Sequence, residues 1–269
     1  MVLAEFDAFH RPALERDEIR YNVLLSVMSR AASEDPPDQT RRWSFGVPGA
    51  CVLQSPRRGL LLGNLSRDQC RQLAEETAGT RFKSVLGADD APHWFVDRAR
   101  EMGEQFGEPM PQRIHTLSGP PVYPGAPGVA RPVTADDADL FAIWGAAFFA
   151  EAAPEDEPLT REQLDWNAAS GLLLFWTVDG QPVSMAGIVR RLRNVCAIAW
   201  VYTPPELRGR GYAGSATAAV VEKIHAEGRS SACLYTDLRN PASNRCYEKI
   251  GFKPYCESWF VPQKAPPAS

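Results

Sequence analysis

The sequence predicts a protein of mixed α/β class in two domains. Three observations carry this: a length of 269 residues against roughly 150 per domain, a Pro/Gly-rich stretch from Gly119 to Pro132, and alternating helix-period and strand-period segments on both sides of it. The stretch reads Gly-Pro-Pro-Val-Tyr-Pro-Gly-Ala-Pro-Gly-Val-Ala-Arg-Pro and suits neither a helix nor a central strand, so it reads as a linker. Its position divides the chain into a smaller N-terminal α/β domain, 1–122, and a C-terminal domain, 127–269.

In the first half, Ile19, Val23, Leu24, Val27 and Met28 lie on one face of a helix expected from about Pro12 to Arg30. A polar stretch, Ser33 to Asp38, ends it. Strand-like runs follow at Ser44 to Val47, Ala50 to Gln54 and Gly59 to Asn64. Ser66 caps a helix reaching Ala78, Phe82 to Leu86 is a strand, a helix covers Ala91 to Phe106, and Gln112 to Leu117 closes the half. His93 and His115 stand alone, and the acid pair Asp89-Asp90 belongs to a helix start, where capping and the macrodipole account for it.

The second half opens with Thr134, capping a helix that carries Leu140, Ile143, Trp144, Ala147 and Phe148. Thr160 and Gln163 form a capping box before a second helix. Leu172 to Val178 and Pro182 to Arg190 are strands joined by an Asp179-Gly180 hairpin turn, and a third strand covers Val195 to Thr203. A helix from Gly211 to Ala226 stops at Gly228, and a strand at Ala232 to Leu238 comes next. Asn240 and Pro241 open a short helix that ends at Gly251, and Tyr255 to Val261 is the last strand. The tail from Lys264 to Ser269 is expected to fray.

Composition excludes several classes. Lys plus Arg number 29 against 33 Asp plus Glu, a net charge of −4, which lacks the basic excess of a nucleic-acid binder. No apolar run approaches the roughly 18 residues a membrane helix needs, and mean hydropathy is −0.28. Glu5 and Asp7 stand where a signal peptide carries basic residues, so a cytoplasmic protein is expected, with no membrane or nucleic-acid partner. Cysteines 51, 70, 196, 233, 246 and 256 include no Cys-x-x-Cys pair, and His10, His93, His115 and His225 are scattered. No metal site is expected, and the cysteines read as reduced thiols.

The chemistry concentrates beyond the linker. Between the third strand and its helix runs Val201-Tyr202-Thr203-Pro204-Pro205-Glu206-Leu207-Arg208-Gly209-Arg210-Gly211-Tyr212-Ala213-Gly214. Gly209, Gly211 and Gly214 let backbone amides approach a ligand at a helix start, where unpaired N–H groups and the dipole favour an anion such as a pyrophosphate. Arg208 and Arg210 add mobile positive charge. The plain alternative is a glycine-rich turn with solvated arginines. Later, Asn240 caps a helix that carries Tyr247 and closes with Gly251-Phe252; on its own this is a capped helix with a packing tyrosine.

Together the two elements resemble the GNAT superfamily of acyl-CoA-dependent N-acyltransferases. Arg208-x-x-Gly211-x-Ala213 matches its Gln/Arg-x-x-Gly-x-Gly/Ala motif, and Asn240, Tyr247, Gly251 and Phe252 match its Asn…Tyr…Gly-Phe pattern. The resemblance, from about Val129 to Val261, implies a V-shaped mixed sheet flanked by helices, with acyl-CoA held where two parallel strands splay. It implies that Val201, Tyr202 and Thr203 pair with the pantetheine arm and that Arg208, Gly209, Arg210, Gly211, Tyr212, Ala213 and Gly214 take the pyrophosphate. Asn240 is implied as a further cofactor contact, and Tyr247 as the general acid for the departing sulfur. The expected activity is transfer of an acetyl group from acetyl-CoA, as co-substrate and without a metal, to a primary amine on a small molecule or peptide. The alternative is a catalytically inactive acyl-CoA-binding sensor or interaction module. Glu151, Glu155, Asp156 and Glu157, or Asp237, are candidates for assisting the amine, with no choice among them. A monomer or homodimer is expected. The first half fits a degenerate copy of the same fold, because no phosphate-loop motif follows Leu60-Leu61-Leu62-Gly63-Asn64-Leu65.

Overall fold

The computed structural model describes residues 1–31, 40–55, 59–152 and 159–264. The polar stretch at 33–38, the candidates Glu155, Asp156 and Glu157, and the tail beyond Lys264 lie outside the described residues. The chain forms two compact units: Met1–Ile114 with Thr236–Arg239 and Pro254–Ser269, and His115–Tyr235 with Asn240–Lys253.

The first unit begins with α1 (Leu3–Leu14) and α2 (Asn22–Ala31), where one helix from Pro12 to Arg30 was expected. Asp17 causes the break: its Oδ1 accepts the Arg20 amide at 3.0 Å, a local bond that competes with the helical one. Strands β1 (Arg41–Ser44), β2 (Cys51–Ser55), β3 (Gly59–Leu62) and β4 (Ser84–Ala88) follow, with α3 (Arg67–Glu76) and α4 (Ala91–Glu101) between and after them. The first strand lies earlier than Ser44 to Val47, because Phe45 to Ala50 close a turn through Ala50 N–H to Val47 O and Phe45 N–H to Ala50 O. Ser66 caps α3 as expected, accepting from the Gln69 amide. Leu60, Leu73, Val85 and Phe95 bury this unit's core.

Strand β5 (Met110–Leu117) is divided between the units. The second unit continues with β6 (Val129–Pro132), α5 (Ala138–Ala152), α6 (Arg161–Ala169), β7 (Leu173–Val178), β8 (Gln181–Arg191), β9 (Val195–Tyr202), α7 (Tyr212–Ala226), β10 (Ser231–Asp237), whose last two residues belong to the first unit, and α8 (Pro241–Ile250). These strands run in the order β10-β9-β8-β7-β6. The pairings are antiparallel except β9 with β10, which is parallel. Strand β6 corrects the linker reading: the last four residues of the Pro-rich stretch pair with β7, from Val129↔Thr177 to Pro132↔Leu174. Pro132 is tolerated because β6 is an outer strand.

The last strand, β11 (Lys253–Pro262), pairs with β4 from Ser258↔Ala88 to Pro262↔Ser84. The compact units therefore do not coincide with boundaries at 122 and 127, because long-range pairing carries the chain end back to the first unit. A fragment of residues 129–269 leaves β11 without β4 and exposes Val261, which is fully buried. It should be aggregation-prone beside the full chain, checked by size-exclusion chromatography; a monodisperse, cooperatively melting fragment would show that β11 is dispensable to the second unit.

Arg131 on β6 is bidentate to Asp137 (2.7 and 2.8 Å), which also accepts the Thr134 amide. The Arg131 hydrogen bonds hold the Asp137 carboxyl down at about 2. A depressed carboxyl contributes stability above its unfolded pKa, near 4, and loses it as pH falls through the folded value. Asp137→Asn should therefore lower Tm at pH 7, with the difference from wild type closing as pH drops from about 4 towards 2. A Tm gap constant over that range would remove the ion pair as its cause.

Candidate active site

Strands β9 and β10 pair only from Val195↔Ser231 to Ile198↔Leu234, and both run on beyond that ladder. Opposite β8, β9 carries one extra residue between Ala199 and Tyr202, where Trp200 adopts φ +61°. Such a bulge bends and re-aims a strand. The Trp200 ring is clamped 5.2 Å from Phe141, 5.5 Å from Phe148 and 5.2 Å from Phe149, so packing against α5 holds the strained residue. Nothing in the sequence marks this position, since tryptophan is not a residue favoured at positive φ.

The end of β9 is fixed by side chains. Ser184 Oγ donates to the Tyr202 carbonyl at 2.9 Å and lies 2.9 Å from Thr203 Oγ1. The ladder with β10 ends at Ile198, so Val201 lies on the stretch of β9 that runs past it. Ser184 was not anticipated, because its role depends on cross-strand register.

The loop then bends through Gly209 (φ +79°) to Gly211 (φ +83°), which is the N-cap of α7 and has no side chain to cap it. The amides of Tyr212, Ala213 and Gly214 open that helix, and the first amides of a helix have no partner within it. A Cβ on Gly209 would meet nothing within 4 Å, so that flank of the loop is open. This cradle fits a diphosphate.

Arg208 is not a mobile charge. Its Nε donates to the Thr203 carbonyl at 2.9 Å and its Nη2 grips both Glu151 oxygens at 2.7 and 2.8 Å, with the guanidinium 5.8 Å above the Tyr202 ring. Arg208 thus braces β9 against α5, and Glu151 is already paired. Arg210 is exposed and holds its own turn through Glu206 O. Asp237 is chelated by Arg239; burial pushes its carboxyl up, but the Arg239 hydrogen bonds outweigh this and leave it below the usual range, opposite to what a base needs.

Asn240 caps α8, its Oδ1 accepting from the Ser243 amide at 3.1 Å. Gly251 ends the helix at φ +110°, and the Phe252 amide returns to the Tyr247 carbonyl at 3.0 Å. This left-handed cap sets the Phe252 ring edge-on to Tyr247, 6.0 Å between centroids. Tyr247 is 9% exposed, and burial raises its phenol well above the ordinary value. Among the described residues its hydroxyl has no hydrogen-bond partner, so it is free to donate.

All six cysteines are free thiols, four of them buried. Among the described residues no helix is long and apolar enough to cross a membrane, and no group of three or more His, Cys, Asp or Glu could hold a metal ion. The family described as "Acetyltransferase (GNAT) domain" matches residues 129–253. That range contains the splayed strands, the glycine loop and Tyr247. Residues 129–253 are a GNAT acetyltransferase domain. GNAT domains belong to acyltransferases, and the GNAT fold reaches beyond this range. A GCN5-related N-acetyltransferase from Kribbella flavida, 15% identical, superposes with TM-score 0.62 over 92% of this chain and 96% of its own. A Drosophila protein, 15% identical, reaches TM-score 0.69 over 98% and 97%. A tandem GNAT protein from the clavulanic acid biosynthesis pathway, 12% identical, reaches 0.52 over 91% and 89%. At these identities the likeness is one of fold, and it extends over the first unit. No curated protein sequence matches the chain.

Proposed function

We propose that the protein transfers the acetyl group of acetyl-CoA to a primary amine, with one working cofactor site in the GNAT domain. What supports this is the presence in one unit of a β9 end that runs past its ladder at Val201, a side-chain-free helix start at Gly211 and a buried Tyr247.

Acetyl-CoA, when bound, supplies an activated thioester. The amides from Gly209 to Gly214 would hold its diphosphate, and Val201 would pair with the pantetheine arm. The Val201 N–H, on the stretch of β9 beyond the ladder with β10, would polarise the thioester carbonyl, a preorganised contact worth several kcal/mol in a dry site. Tyr202 and Thr203 serve by keeping that stretch fixed. Asn240 holds α8, and so Tyr247, in place, with a cofactor contact of its own as the family resemblance implies.

Tyr247 would donate to the departing sulfur. A phenol near 10 against a thiol near 8.5 makes full proton transfer uphill by about 2 kcal/mol, and burial widens the gap. Tyr247 therefore stabilises the thiolate by hydrogen bonding and leaves net protonation to solvent. Among the described candidates for taking the amine's proton, Glu151 and Asp237 are both committed to arginines. The protein acts in the cytoplasm on a small-molecule or peptide acceptor.

Screening an amine library with acetyl-CoA, read by thiol release and by the mass of the acetylated product, tests this. Acceptor-dependent release is expected. Tight acetyl-CoA binding with no release for any amine would favour the sensor reading instead.

A further inference from the structure

The segment between β5 and β6, expected as a linker, lies on the GNAT domain. The Val122 amide donates to the Ile250 carbonyl at 2.8 Å, at the end of α8. The Tyr123 hydroxyl donates to Glu222 on α7 at 2.7 Å, and Trp176 Nε1 on β7 donates to the Pro127 carbonyl at 2.9 Å. Between these anchors the chain presses on the first turn of α7. A Cβ on Gly214 would lie 2.5 Å from Pro124 Cγ, and one on Gly211 would lie 3.3 Å from Pro124 Cβ and 3.4 Å from Ala126 Cβ. Gly211 and Gly214 therefore do more than admit a ligand. They admit this strap.

We infer that Val122 to Gly128 is a wall of the cofactor site, flanking the diphosphate cradle on its Gly211–Gly214 side and leaving the Gly209 side as the way in. The inference rests on the cofactor reading above. Pro124 and Ala126 bring no charge. What they bring is apolar cover over one flank of amides that would otherwise face water on both, and amide–phosphate hydrogen bonds strengthen as water is excluded. Proline adds rigidity through its fixed φ, and the three anchors hold the wall before any ligand arrives, so little ordering cost falls on binding. The strap thus makes the segment joining the two halves part of the binding machinery.

Calorimetric titration of the full chain with CoA tests this with Tyr123→Phe, which removes the Glu222 anchor, and Pro124→Ala, which removes the ring over Gly214. Neither touches an α7 amide or a charge in the cradle. Each should weaken CoA binding several-fold and the pair about tenfold, the size of one lost buried contact, with Tm little changed. Tighter binding in the variants would mean that the strap competes with the ligand, and unchanged binding that it only packs; either overturns the wall. Failure of the wild type to bind CoA would instead overturn the cofactor reading itself.

Discussion

Gly211→Glu should reduce acetyl-CoA binding below calorimetric detection. Three effects act together. The residue sits at φ +83°, where a side chain costs about 1–2 kcal/mol. Its Cβ would crowd Pro124 and Ala126. Its carboxylate would enter a helix start whose dipole and free amides select anions, and repel the diphosphate. The fold should survive, since that strain is small beside a typical stability of about 5–15 kcal/mol. Gly209→Glu separates charge from crowding, because a side chain there meets open space. It should lose binding nearly as completely, with an unchanged circular dichroism spectrum. Undiminished affinity in both variants would remove the glycine loop as the diphosphate site.

Tyr247→Phe should lower kcat about a hundredfold while leaving the acetyl-CoA dissociation constant near wild type, the usual size of a lost hydrogen-bond donor to a developing charge. The substitution removes one unpartnered hydroxyl and keeps the ring against Phe252, so Tm should not fall. Burial raises the phenol, so Tyr247 stays protonated, and its titration should produce no loss of wild-type kcat below about pH 10. A kcat within about threefold of wild type would mean that Tyr247 only packs. That outcome with CoA binding intact would also bring the sensor reading forward.

What the sequence revealed and what it hid divide by range. Features defined within a few residues were legible: the Ser66 cap, the Thr160 capping box, the Asp179-Gly180 turn, and the Asn240 and Gly251 caps around Tyr247. The glycine loop was legible for the same reason, since its spacing is local. Features that depend on a distant partner were not. Arg208 read as loose charge because Glu151, which holds it, lies on another helix. Strand β6 hid inside a Pro-rich run because only pairing with β7 makes it a strand. The linker looked unstructured because its anchors, Ile250, Glu222 and Trp176, are spread over three elements. The bulge at Trp200 reflects tertiary clamping by Phe141, Phe148 and Phe149 against local preference.

The proposed division of labour gives one half of the chain an acetyl-CoA site and leaves the other, though it shares the fold, without one. Isothermal titration of the full-length wild type with acetyl-CoA tests it most directly through stoichiometry. One equivalent per chain is predicted, abolished in Gly209→Glu. Two equivalents, or one that survives Gly209→Glu, would place a cofactor site outside the glycine loop and contradict the claim.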